Sequence, residues 1–171
     1  MDLYLIRHAD ALPLGVQGIT EDEARPLSDE GRAQARALGE ALAGKGVRLD
    51  KIVTSPLVRA RQTTDALLAG WPGTAPEVVV CEEVAPGGKR RKLARALRQL
   101  GENAVAVVGH QPDLGRLAGW LIGSKKAQVN LAKAGVAHIA CDDAPGKGSG
   151  NLVCLVTLEW LGALPVTATK A

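Results

Sequence analysis

The chain contains no phenylalanine, one tyrosine and three tryptophans among its 171 residues. With so few aromatic rings, its core must be filled mainly by leucine, valine and alanine side chains. Hydrophobic residues make up 46% of the chain, which is in the ordinary range for globular domains. At this length we expect one domain with a core of useful size.

The chain also lacks a strong excess of either charge, paired cysteines and long apolar runs. The formal net charge is +3, which is too small to argue for nucleic acid as a partner. The three cysteines, Cys81, Cys141 and Cys154, show no C-x-x-C spacing, and we expect them to be free thiols in a reducing compartment. Cys81 and Cys154 lie in apolar strand-like runs, where we expect the thiol to behave as a small hydrophobe. The first residues read as a strand and not as a secretory leader. No run approaches the roughly 18 apolar residues of a membrane span, so we expect a cytoplasmic protein without a membrane partner.

Short apolar runs alternate with amphipathic segments along most of the chain, which predicts the order βαβα–βαβαββ. The predicted strands are 2–7, 51–54, 78–81, 104–108, 135–141 and 152–158, and the predicted helices begin near residues 28, 57, 89 and 114. Strands separated by helices need crossover connections and form a parallel sheet. We therefore expect a single α/β domain of three layers, α/β/α, over residues 1–160. Its sheet should be mostly parallel with an antiparallel edge, and 161–171 should form a tail.

Two of the three histidines follow predicted strands directly. One apolar run leads into Arg7 and His8, and another leads through Gly109 into His110. In an open α/β sheet, ligands bind beyond the carboxyl ends of the strands. The two imidazoles should therefore meet at one site, although they come from distant parts of the chain.

The same edge of the sheet should carry further cationic and polar groups. The second strand ends at Ser55, and Arg59 lies one turn into the next helix. Guanidinium groups pair with phosphoryl oxygens through two parallel hydrogen bonds. One imidazole can attack phosphorus and the other can stabilise the charge that spreads over its oxygens. The pattern predicts phosphoryl transfer.

Four segments, in order, resemble motifs of the histidine phosphatase superfamily, which has the phosphoglycerate mutase-like fold. They are L-I-R-H-A at 5–9, R-P-L-S followed by Gly31 and Q-A at 34–35, S-P-L-V-R-A-R-Q-T at 55–63, and V-G-H-Q-P at 108–112. One such motif would be weak evidence, but the ordered set is specific. The resemblance implies that His8 is the nucleophile that becomes phosphorylated. It also implies that Arg7, Arg59 and His110 bind the phosphoryl group, with Ser55 beside them, and that no cofactor is needed.

Within that superfamily, the short chain and the R-H-A-D-A segment at 7–11 are most similar to the SixA-type phosphohistidine phosphatases. The segment between residues 10 and 27 is too short to form a large lid, and an open site suits a phosphorylated protein side chain. The resemblance therefore implies a phosphohistidine phosphatase whose partner is a phosphorylated protein of the histidine-phosphotransfer type. A small-molecule phosphomonoesterase remains an alternative, as does a phosphoryl-binding module without catalysis.

The proton donor for the leaving group has several candidates. Glu82 and Glu83 follow the third predicted strand, and E-V-A-P at 83–86 resembles the E-L-x-P of SixA-type proteins. Asp10 lies beside the predicted nucleophile, and an imidazole leaving group could need no acid at all. Ala9 stands where the superfamily more often has glycine, so we expect an ordinary negative φ there.

Alternative roles exist for some of these residues. His8, Asp10 and His110 are suitable zinc ligands, but the neighbouring arginines would repel the cation, and we expect no metal. His138, inside a predicted strand, is expected to be structural. The basic run at 89–92 is either a solvated helix face or a docking patch for an acidic phosphoprotein.

Overall fold

A six-stranded sheet with strand order β3-β2-β4-β1-β5-β6 forms the centre of the computed structural model, which describes residues 1–163. The strands are β1 Asp2–Arg7, β2 Lys51–Thr54, β3 Glu77–Val80, β4 Ala104–Gly109, β5 Val136–Cys141 and β6 Gly150–Val156. The helices are α1 Asp29–Gly44, α2 Val58–Ala69, α3 Arg90–Leu100 and α4 Asp113–Leu121, with short 3-10 turns at Val16–Gly18 and Glu82–Val84. Strands β1 to β4 are parallel, and β5 and β6 add an antiparallel edge. The predicted fold class is therefore confirmed.

The predicted boundary between domain and tail stays a prediction. Leu161 and Ala163 pack against the core cluster beneath α1, so the packed part of the chain reaches at least residue 163. The rest of the predicted tail, 164–171, lies outside the described residues.

Strand β4 lies between β2 and β1, and this arrangement brings three strand ends together. Arg7 at the end of β1 is opposite Gly109 of β4, and Thr54 at the end of β2 is opposite Val108. The residues that follow these strands therefore emerge side by side at one edge of the sheet.

Helices α1 and α2 cover one face of the sheet, and α3 and α4 cover the other. Aliphatic side chains fill both interfaces, as the composition predicts. The first cluster includes Ile6, Leu38, Ile52, Leu67 and Val108, and the second includes Leu3, Leu5, Leu97, Val105, Leu117 and Leu121. Each buried aliphatic side chain of this size contributes about 1.5–3 kcal/mol relative to leaving it exposed.

Two glycines of α1 allow close backbone contacts. A Cβ on Gly39 would lie 2.1 Å from the carbonyl oxygen of Leu67, so α1 and α2 meet almost backbone to backbone. A Cβ on Gly31 would lie 1.9 Å from the carbonyl oxygen of Asp10. Helix α1 therefore starts directly against the segment that follows β1. Ser28 caps this helix as predicted, because its Oγ accepts from the N–H of Gly31.

The expectation that the Cys154 thiol is buried is wrong, because β6 lies at the edge of the sheet. Its side chain is exposed, and Cys141 is the buried thiol. All three cysteines are free. His138 is structural, as predicted, since it bonds to Asp2 at 2.7 Å and stacks on Tyr4. Within residues 1–163, no helix has the length and apolar character to cross a membrane.

Candidate active site

The two strand-end histidines lie side by side, with ring centroids 5.2 Å apart. The register of β1 against β4 is the cause, because the N–H of His8 donates to the carbonyl of Gly109 at 2.9 Å, directly before His110. Both side chains are buried, with 9% and 3% exposure.

A backbone contact fixes the tautomer of His8. Its Nδ1 lies 2.8 Å from the carbonyl oxygen of Ala9, and a carbonyl oxygen only accepts, so Nδ1 must carry the proton. The lone pair is therefore on Nε2. Ala9 itself is buried, has the ordinary φ that was expected, and donates its N–H to Thr63 Oγ1 at 3.1 Å.

His110 is oriented by Ser55, the residue that follows β2. Nε2 of His110 lies 2.9 Å from Ser55 Oγ. The same hydroxyl oxygen accepts from the N–H of Leu57 at 3.3 Å, where the chain turns into α2. Ser55 therefore joins the start of α2 to the second imidazole.

Arg59 is 4% exposed and is held by a loop residue that the sequence motifs did not indicate. Its Nη1 donates to the carbonyl oxygen of Asp22 at 2.6 Å, and its Nη2 donates to Asp22 Oδ2 at 2.9 Å. Arg25 bonds to the other carboxylate oxygen at 2.9 Å. The acidic run at 21–23 was the available signal, but sequence alone gives no reason to pair a loop acid with a helix arginine.

Arg7 is held by another part of the chain that sequence reasoning missed. Its Nη1 donates to the carbonyl oxygen of Leu131 at 3.0 Å. Two residues further on, near the site, Lys133 pairs with Asp10. The loop between α4 and β5 therefore closes one side of the site.

Burial keeps both imidazoles neutral. It lowers the pKa of His8 to about 4, an effect opposed by the Ala9 hydrogen bond and reinforced by Arg59 and Arg7. It also lowers the pKa of His110 to about 3, with Arg59 and His8 adding to the shift. At neutral pH, Nε2 of His8 is therefore available as a nucleophile.

Three buried side-chain nitrogens at the site have no hydrogen-bond partner among the described residues: Arg7 Nε, Arg59 Nε and His110 Nδ1. A buried donor without a partner costs about 1–3 kcal/mol. An oxyanion has several acceptor oxygens and could satisfy the two guanidinium N–H groups. It could also accept from His110 Nδ1 in the tautomer in which His110 Nε2 accepts from the Ser55 hydroxyl. The arrangement is therefore suited to hold a phosphoryl group beside His8.

The carboxylates differ in their surroundings. Burial alone would raise the pKa of Asp10, but hydrogen bonds from Lys133 and Ser28 outweigh that effect and lower it. Ser28 Oγ donates to Asp10 Oδ2 at 2.6 Å. Asp10 is thus held as an anion and is poorly suited to donate a proton. In the described part of the chain, no group of three His, Cys, Asp or Glu residues could hold a metal ion.

Glu83 and Glu82 share the 3-10 turn after β3, but only Glu83 faces the site. Glu82 is exposed. The side chain of Glu83 is 29% exposed, pairs with Lys92 at 3.5 Å, and lines a small cleft together with His110.

Comparison with known proteins agrees with this geometry. Residues 3–84 match the family model of the histidine phosphatase superfamily, branch 1. An uncharacterized protein of Picosynechococcus sp. is 32% identical over 94% of this chain and 99% of its own length. The phosphohistidine phosphatase SixA of Escherichia coli is 28% identical over 88% of this chain and 91% of its own.

The chain belongs to the histidine phosphatase superfamily. Solved structures show the shared fold. The protein histidine phosphatase SixA complexed with tungstate matches with a TM-score of 0.79 at 24% identity, covering 92% of this chain and 97% of that one. The α-ribazole phosphatase from Shigella flexneri matches with a TM-score of 0.72 at 19% identity, covering 92% of this chain and 96% of that one. The family match ends before His110. The fold of this histidine phosphatase nevertheless places the imidazole of His110 beside that of His8.

The contact between Asp22 and Arg59 predicts a positioning role for the loop acid. The change Asp22→Asn should lower kcat for a small aryl phosphate about tenfold, because Arg59 loses its ionic partner and its orientation. KM should change less than kcat. Glu21→Gln removes the same charge from the neighbouring residue and should leave both constants unchanged. If Asp22→Asn instead lowers KM and raises kcat/KM, Asp22 competes with substrate for Arg59 and the positioning role is wrong.

The lowered pKa values of the two histidines predict a loss of stability in mild acid. A histidine with a folded pKa near 4 or 3 and an unfolded value of about 6.5 binds its proton more readily when unfolded. The free energy of unfolding should therefore fall as pH decreases from about 6.5 to 4, by at most about 1.4 kcal/mol per pH unit for each histidine. Asp10 and Asp22 also have lowered pKa values, but their contribution to the free energy of unfolding is lost only at lower pH, below about pH 4.

Urea unfolding at several pH values measures this slope. The double variant His8→Asn with His110→Asn should flatten it between pH 6.5 and 4. An unchanged slope in the variant would show that other groups cause the acid sensitivity.

Proposed function

We propose that this protein is a phosphatase that works through a phosphohistidine on Nε2 of His8, and that its substrate is phosphohistidine on a protein. The observation that carries the proposal is the contact of His8 Nδ1 with the Ala9 carbonyl. It leaves the lone pair on Nε2, in a buried cluster with His110 and Arg59.

In the first step, Nε2 of His8 attacks phosphorus while the bond from phosphorus to the leaving group breaks. Arg7, Arg59 and His110 donate hydrogen bonds to the phosphoryl oxygens, on which charge accumulates in the transition state. Each of these side chains has a buried nitrogen without a partner among residues 1–163, which is suited to this role because it needs no rearrangement of solvent.

Proton transfer is assigned to Glu83. As an acid it gives its proton to the leaving atom, which is an imidazole nitrogen of the substrate or an ester oxygen. In the second step a water attacks the phosphohistidine, Glu83 takes a proton from that water, and orthophosphate leaves with neutral His8 restored. Its place in the cleft beside His110 supports this role.

Two observations support a protein as substrate. The segment from residue 12 to 26 is mostly exposed and contains only one 3-10 turn, so it builds no helical lid over His8. The Escherichia coli relative is a phosphohistidine phosphatase. Independence from metal ions, the absence of a cofactor and a cytoplasmic location stay predictions.

Phosphate release from a phosphohistidine-bearing carrier protein tests the proposal, with a small phosphomonoester assayed in parallel and a chelator present. Wild type should dephosphorylate the carrier protein rapidly, and His8→Ala should lose at least about 10³-fold because the nucleophile is gone. His138→Asn is the matched control, since this histidine lies away from the site, and it should retain activity.

Other results would change the assignment. Turnover of the small ester alone would keep the chemistry and favour a small-molecule phosphomonoesterase. Saturable binding of phosphorylated carrier without turnover would favour a phosphoryl-binding module. Turnover that the chelator abolishes would contradict metal independence.

The role of Glu83 predicts a dependence on the leaving group. Glu83→Gln should lower kcat for an alkyl phosphate by about 10²-fold, because its alkoxide needs a proton. An aryl phosphate with an acidic leaving group should lose much less. Glu82→Gln, in the same turn but exposed, is the control. Equal losses on both esters, or an equal effect of Glu82→Gln, would remove Glu83 from proton transfer.

A further inference from the structure

The wall of the site beside Glu83 continues into a strongly basic surface that the proposed chemistry does not use. Residues 87–92, Asp113 and Arg116 line a depression. Five of these residues are cations, namely the four at 89–92 and Arg116, and Asp113 is the one carboxylate among them. The cleft that holds Glu83 and His110 shares Gly88, Arg90 and Asp113 with this depression. The basic surface therefore begins where the cleft ends.

The surface extends away from the site through a second depression. This one shares Arg90, Arg91 and Arg116 with the first and adds Lys125 and Lys147 from two separate loops. We call the whole surface, residues 89–92 with Arg116, Lys125 and Lys147, the basic face. It holds seven of the 21 lysines and arginines of the chain.

Little in the fold neutralises these charges. Between residues 1 and 163, the ion pairs of the basic face are Lys92 with Glu83 and Arg116 with Asp113, both at 3.5 Å and with largely exposed cations. Such exposed pairs contribute about 0–1 kcal/mol. Helix α3 begins with Arg90, Arg91 and Lys92, where the helix dipole favours acids and disfavours cations. The stability of the helix therefore does not explain the cations.

The turn that precedes α3 is built to hold the basic face against the site. A Cβ on Gly88 would lie 2.1 Å from the carbonyl oxygen of Glu83, so the chain folds back tightly on the proposed acid. The N–H of Gly87 donates to Asp113 Oδ2 at 2.9 Å, which ties the turn to α4.

From this continuity we infer that the basic face docks an acidic surface of the protein that carries the phosphoryl group. The inference rests on the proposed function and adds the surface by which the enzyme recognises its protein substrate. A folded protein that delivers a phosphorylated side chain to His8 must lie over the adjoining wall, and on the Glu83 side that wall is the basic face. Nucleic acid fits less well, because single strands are held by stacking on aromatic rings and Trp120 is the aromatic residue that lines these depressions.

Docking of this kind acts mainly on the rate of association. The value of kcat/KM for the protein substrate should fall with rising salt, because exposed charges are screened over about 10 Å at 0.1 M. A small phosphate ester reaches His8 without covering the basic face, and its turnover should be insensitive to these charges.

The variant Arg91→Glu with Lys147→Glu tests the inference. Both side chains are exposed and lie outside the cleft of Glu83 and His110. At low salt, kcat/KM for a phosphorylated, acidic histidine-phosphotransfer domain should fall about 10- to 100-fold, and the loss should shrink in 0.5 M salt. Turnover of p-nitrophenyl phosphate should stay within about twofold of wild type.

The matched control is Lys45→Glu with Arg48→Glu, which makes the same change in net charge. These exposed residues lie between α1 and β2, at the amino ends of the strands and away from the site. The control should keep wild-type turnover of both substrates. An equal loss with the control, an equal loss on the small ester, or no loss at all would overturn the docking role.

Binding separates this inference from the proposed function. The His8→Ala variant lacks the nucleophile and should hold the phosphorylated histidine-phosphotransfer domain without turnover. Adding Arg91→Glu and Lys147→Glu should weaken that binding. This result is expected even if the wild-type protein does not dephosphorylate the domain. Stronger binding of a single-stranded oligonucleotide than of the domain, lost in the same variant, would assign the basic face to nucleic acid and overturn the inference.

Discussion

The parallel pairing of β1 with β4 is the constraint on which the site depends. Their backbone hydrogen bonds place Arg7 opposite Gly109, and therefore put the two following residues, His8 and His110, next to each other. A shift of one residue in this register would turn the side chains of β1 to the opposite face of the sheet. Because Leu3 and Leu5 face α3 and α4 while Ile6 faces α1 and α2, burial on both faces fixes the register, and the core thereby fixes the geometry of the site.

Burial gives the site its chemical character as well as its shape. Removing His8 and His110 from water, close to buried guanidinium groups, lowers both pKa values and keeps the rings neutral. The same burial leaves three side-chain nitrogens, two of them guanidinium donors, without partners in the described residues. Neutral imidazoles and unpartnered guanidinium nitrogens therefore arise from one cause, and together they favour an anionic group over a cation.

The loops supply what the strands do not. Asp22 holds Arg59, and the carbonyl of Leu131 holds Arg7, so each guanidinium is oriented by a segment far from it in sequence. The 3-10 turn after β3 brings Glu83 to the cleft and then folds back at Gly88 to begin α3. The sheet edge is thus the platform for the chemistry, while the loops around it set the orientation of the cations and form the surface that a partner would meet.

Hydrophobic periodicity was sufficient to predict the strand and helix order, because each element must bury one face and its residues repeat with the matching period. Turn residues and capping signals also located the start of α1 at Ser28. The bounds of the strands moved by one or two residues, and the exposure of Cys154 was missed, because a strand's position at the sheet edge is decided by pairing that an apolar run does not encode.

The sequence by itself determined the residue types of the site and the strand ends that carry them, since motifs and periodicity are local properties of the chain. It left Glu83, Glu82 and Asp10 as candidates for the acid, with no acid at all as a further alternative. The tertiary structure gives them different surroundings: Lys133 and Ser28 hold Asp10 as an anion, while Glu83 lines the cleft beside His110. It also decided which loops hold the arginines, and it joined cations from α3, α4 and two loops into one face. Contacts between distant segments exist only after the chain has folded.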